Sequence, residues 1–188
     1  MTAPFIEEFS MTSPDESYGI VSTLEAYPDH VRAIGMISIE IANLDLELGA
    51  LLGAMLRVSA KLGQVVYLTP RTAMGRIHVL ENVTDQVFKP TSPGLKKLKT
   101  LFKQAKKLIG KRHDMIHEAW GVAKDDPKSV RRVTLPPTGA ESKPVPLTEL
   151  NSLVRSIRIL IFDVRRQKES IIASLPKAAY RKSRKPKS

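Results

Sequence analysis

Apolar residues spaced alternately three and four apart fill three long stretches of this chain, and that spacing fits packed helices. Over 29–58 the stripe is Ile34, Ile37, Ile41, Leu44, Leu48, Leu51 and Met55. Over 93–119 it is Leu98, Phe102, Ala105, Ile109, Arg112, Ile116 and Ala119. Over 147–175 it is Leu150, Leu153, Ile157, Leu160, Val164, Ile171 and Leu175. A short helix is expected over 59–68. Another is expected over 70–88, with Thr69 as cap and Pro70 in the first position, where its missing N–H costs nothing. Two short strands, 120–123 and 130–135, flank the turn Lys124-Asp125-Asp126-Pro127-Lys128, and 136–146 reads as a proline-rich linker. These elements predict an all-α fold: an antiparallel bundle of four to five helices with a small β-hairpin insertion before the last helix.

The ends differ in charge. Glu7, Glu8, Asp15, Glu16, Glu25 and Asp29 precede the first basic residue, Arg32. Residues 1–17 read as a disordered acidic leader, 18–175 as the bundle and 176–188 as a disordered basic tail. A start without Lys or Arg does not suit a secretory signal. No apolar run approaches the roughly 18 residues that cross a membrane, so no membrane association is expected. The chain has no cysteine, which excludes disulfides and thiolate chemistry and fits a reducing, cytoplasmic setting.

With 42% apolar residues the chain can bury a core, and its net charge of +11 points to polyanionic partners. The third long helix concentrates that charge. It carries Lys96, Lys97, Lys99, Lys103, Lys106, Lys107 and Lys111, with no acid between Asp85 and Asp114. Lys103, Lys106, Lys107 and Lys111, nearest its C-terminal end, are candidate RNA contacts. The competing reading is a solvated face that only aids solubility. At 5% aromatic content, a base-stacking platform is not suggested.

Arg112 interrupts the stripe. A guanidinium turned toward other helices is costly unless it is paired or lines a cleft. Glu40, Asp45 and Glu47 on the first helix are the acids that could orient it. His117 follows Arg112 by five residues, about 140° further round a helix, so the two can border one groove. His113 lies one turn before His117 and shares its side. His-x-x-x-His also suits a metal site. Here no third ligand is evident, and Asp114 stands where a zinc-protease helix carries glutamate, so no metal and no cofactor are expected.

The segment Lys111-Arg112-His113-Asp114-Met115-Ile116-His117-Glu118-Ala119-Trp120 resembles the signature of HEPN domains: Arg, a polar residue, three more residues, then His. Arg112, His113 and His117 match it in type and spacing. Glu118-Ala119-Trp120-Gly121 resembles the pattern that follows the motif in several bacterial groups. Asn43-Leu44-Asp45-Leu46-Glu47-Leu48 is similar to the first-helix pattern of such groups. The resemblance covers about residues 28–175 and rests on the motif. It implies an HEPN-like bundle, a homodimer, and metal-independent endoribonuclease action on RNA in a cleft shared by two protomers. Attack by a ribose 2′-hydroxyl needs a base that works near neutrality, which histidine provides, and a cation to grip phosphate oxygens, which arginine provides. In that reading Arg112 binds phosphate, His117 transfers protons and His113 orients them or shares the transfer. The protein would be a toxin or phage-defence effector, with an antitoxin protein as possible partner. Some family members only bind nucleic acid or serve as interaction modules, and both alternatives stay open from the sequence.

Overall fold

The longest helix is the element on which the rest is assembled. In a computed structural model that describes residues 24–122, 126, 128–134 and 141–174, a single 3-10 turn (Leu24–Ala26) leads into α1 (Pro28–Leu56). Pro28 occupies its first turn, and Arg57 ends it in the left-handed region at φ 58°, its N–H bonded to the Ala54 carbonyl. Four helices follow: α2 (Ala60–Leu68), α3 (Ala73–Val87), α4 (Pro93–His117) and α5 (Leu147–Ser174). All four pack on α1. The chain is mostly helical, as expected.

The expected stripes form the core. Ile37, Ile41, Leu44, Leu48, Leu51 and Met55 of α1 are buried, with Leu98, Phe102, Ala105 and Ile109 of α4 and Leu150, Leu153, Ile157, Leu160, Val164 and Ile171 of α5. Each fully buried leucine or isoleucine contributes about 1.5–3 kcal/mol relative to exposure. From Gly49 to Met55, α1 is buried all round, because α2 folds back on it closely. A Cβ on Gly63 would lie 2.5 Å from the Gly49 carbonyl oxygen and against the Gly53 nitrogen. Only glycine allows the two backbones to touch there.

One helix start differs from expectation. Thr69 does not open α3. Its N–H is bonded to the Val66 carbonyl and its hydroxyl donates to Val65, so it closes α2 instead. Thr72 is the cap, its hydroxyl accepting from Gly75 N at 3.1 Å. Ser92 caps α4 in the same way, accepting from Gly94 N, with Pro93 in the first position.

The insertion before α5 is larger than a hairpin. β1 (Ala119–Val122), β2 (Val130–Thr134) and β3 (Glu141–Pro144) form an antiparallel sheet in the order β1-β2-β3. Ala119 faces Val133, Val122 faces Val130, and Arg131 faces Pro144. Part of the expected linker 136–146 is therefore strand; Pro144 is tolerated because β3 is an outer strand. The leader 1–17 and the tail 176–188 lie outside the described residues. No helix among the described residues is long and apolar enough to cross a membrane.

Candidate nucleic-acid site at the end of the fourth helix

The last turn of α4 is held in place by the sheet that follows it. Met115 is buried, and the Trp120 indole N–H donates to the Met115 carbonyl at 2.8 Å. That bond satisfies one of the carbonyls a helix end leaves without a partner. Glu118 lies 2.5 Å from Arg132 Nε of β2, a charge contact without hydrogen-bond alignment. The chain turns from helix to strand within two residues, so the motif sits on a fixed end.

Arg112 is half-buried, as its place between Ile109 and Met115 demands. Its Nε is buried without a hydrogen-bond partner. His113 and His117 are exposed, and their rings lie tilted against each other one turn apart, centroids 4.5 Å apart and planes at 48°. Arg112, His113 and Asp114 line a cleft of about 660 Å³; His117 lies against His113 but is not part of that lining.

The acids expected to orient Arg112 are engaged elsewhere. Asp45 accepts from Arg76 Nη1 at 2.7 Å and from the Tyr67 hydroxyl at 2.8 Å. Burial, the Asp45 charge and that hydrogen bond raise the Tyr67 pKa well above the ordinary phenol value. Glu40 accepts from Arg158 Nε at 2.7 Å. Glu47 accepts from Arg165 Nε at 2.8 Å and Lys168 Nζ at 2.9 Å. Burial pushes the Glu47 carboxyl up, but the bonds from Lys168 and Arg165 outweigh it and hold it below its ordinary value. The reason is placement. Asp45 lines the cleft but is taken by Arg76 of α3, Glu40 and Glu47 lie outside the lining and pair with α5, and no ion pair of Arg112 occurs among the described residues.

The cleft lies between α1, the entry to α3 and α4. Ser38, Ile41, Ala42 and Asp45 come from α1, Ile109 and Gly110 from α4, and Ala73 and Met74 from the first turn of α3. Its walls are largely apolar. Its cations are Arg112, Arg76 (held by Asp45 and by the Pro70 carbonyl at 3.2 Å) and Arg71, which is exposed. Sequence reasoning missed Arg71, Arg76 and Gly110. The Pro70-Arg71-Thr72 turn before a helix was the signal available for Arg71; nothing local marked Arg76 or Gly110.

The lysines of α4 divide. Lys106 is paired with Glu81 of α3 at 2.8 Å, and Lys99 with Asp85 at 2.8 Å. Lys103, Lys107 and Lys111 recur every four residues, are exposed, and make no ion pair among the described residues. Three of the four expected RNA contacts thus form one open row, and the fourth is already neutralised.

Among the described residues, no group of three or more His, Asp or Glu is placed to hold a metal ion. None of the family models, curated proteins or solved structures compared with the chain matches it.

Proposed function

We propose that this protein is a metal-independent endoribonuclease of the HEPN type, acting as a homodimer on RNA. The observation that carries the reading is Arg112: a half-buried guanidinium at a cleft, its Nε unpartnered, while Glu40, Asp45 and Glu47, the acids of α1 expected to orient it, each serve another cation. A cation left unpaired in a cleft is suited to an anionic ligand. His113 lines the same cleft and His117 lies against His113, on a helix end fixed by Trp120.

The chemistry follows from these groups. His117 takes the proton of a ribose 2′-hydroxyl, whose oxygen attacks the adjacent phosphorus. Arg112 grips the phosphate oxygens as charge builds on them. The bond from phosphorus to the 5′-oxygen breaks, leaving a cyclic phosphate, and an imidazolium returns a proton to the departing oxygen. One motif offers few acid and base groups, so a twofold axis bringing a second motif to the same phosphate completes the set. In a toxin or phage-defence setting, an antitoxin protein would cover this cleft.

A second reading, a non-catalytic RNA-binding protein, is favoured by the open row Lys103, Lys107 and Lys111. RNA cleavage in chelator separates the two. Wild type should cut a ribo-oligonucleotide and leave its 2′-deoxy counterpart intact. Arg112→Ala and His117→Ala should each lower the rate by about 100-fold or more, with the helical circular dichroism signal retained. Intact RNA with wild type, or full activity in His117→Ala, would overturn the nuclease reading.

A further inference from the structure

The cleft beside Arg112 is larger than a phosphate needs. Its volume, about 660 Å³, lies within the roughly 300–1,000 Å³ of sites that take small organic ligands. Its wall is made by Ile41, Ala42, Met74 and Ile109, apolar side chains that a phosphate would leave idle. Arg112 and Arg71, two cations with no ion pair among the described residues, stand at the same cleft. A flat apolar body attached to an anion matches that division.

Gly110 adds an independent observation. It sits in the interior of α4, where glycine costs helix stability relative to alanine. Close packing does not require it, since a Cβ built there meets no heavy atom within 4 Å. It lines the cleft. What its missing side chain preserves is space.

We infer that this cleft binds one nucleotide of the RNA chain, its base against the apolar wall beside Gly110 and its phosphate at Arg112 and Arg71. The inference rests on the nuclease reading for the choice of RNA as ligand. It makes the cleft the element that selects which nucleotide lies next to the cut. Asp45 does not repel the phosphate, because Arg76 and Tyr67 already engage it. The carboxylate of Asp114 and the hydroxyl of Ser38 remain as polar groups able to meet a base edge.

The test is calorimetric binding of the four nucleoside 3′-monophosphates and of inorganic phosphate to the full chain. Wild type should bind at least one nucleotide more tightly than phosphate. Gly110→Leu fills the cleft while improving the helix, so its melting temperature should not fall and its affinity for that nucleotide should drop about tenfold or more. Ala42→Phe, at an exposed position of α1 that lines the same cleft, should act alike. Nucleotides binding no tighter than phosphate, or equally well to both filled variants, would overturn the inference. Nucleotide binding without RNA cleavage would sink the nuclease reading alone, whereas cleavage without nucleotide binding would sink this inference alone.

Discussion

The Trp120 indole donates its N–H to the Met115 carbonyl across the helix-to-strand turn, at 2.8 Å. The bond ties the sheet to the turn that carries His113 and His117. Trp120→Phe keeps an aromatic ring but deletes the donor along with the pyrrole half of the indole. It should cost about 1 kcal/mol in urea unfolding and speed amide exchange over residues 113–117. Unchanged exchange there would show that the tether does not fix the motif.

The crossing of α1 and α2 makes a sharper prediction. Gly63→Ala places a methyl group against the Gly49 and Gly53 backbones, which cannot swing aside as a side chain would. A loss of about 3 kcal/mol is expected. Gly35→Ala on the same α1 meets nothing within 4 Å and should gain about 0.5–1 kcal/mol. Equal effects of the two in chemical denaturation would contradict the close approach.

If RNA lies along α4, its lysines should differ in the salt dependence of binding. Replacing Lys103, Lys107 and Lys111 by glutamine should flatten the log–log salt slope by about 2, at roughly 0.7 per single-strand phosphate contact. Lys106→Gln should leave the slope nearly unchanged, because Glu81 already neutralises that lysine. A slope that responds to Lys106 as strongly as to the others would remove the distinction drawn between them.

The Glu47 carboxyl sits below its ordinary value of 4.5, so it binds a proton less readily folded than unfolded. The stability this gives is present above pH 4.5 and is lost as the pH falls through the lower folded-state value. Glu47→Gln should therefore flatten the acid limb of the stability profile and lower stability near neutrality. Melting curves between acidic and neutral pH will show whether wild type and variant converge at the acid end, as expected.

Much of the helical frame was legible because burial and period agree. Ile37, Leu44, Leu150 and Ile157 each sit where a three-four spacing places a core residue, and all are fully buried. The start of α3 was not legible, because Thr69 and Thr72 are both competent caps and Pro70 favours the earlier one. The choice is expressed through Arg76, which reaches both the Pro70 carbonyl and Asp45, a residue 31 positions away. β3 escaped notice because Glu141-Ser142-Lys143-Pro144 has no β-branched or aromatic residue; only pairing with β2 makes it a strand. At the site, the motif was readable as a local pattern. The partners of Glu40, Asp45 and Glu47 were not, since each is chosen by packing between distant helices.

The pairing of α1 with α5 has a consequence for how the molecule is made. Glu40 meets Arg158, and Glu47 meets Arg165, each across 118 residues of chain. A chain leaving the ribosome thus presents the apolar stripe of α1 long before its cover exists. Closure of that long loop is the costly step, and local contacts such as the α1–α2 crossing must hold the nascent chain until it occurs. Synthesis halted before α5 would yield a sticky, chaperone-dependent fragment rather than a smaller working protein.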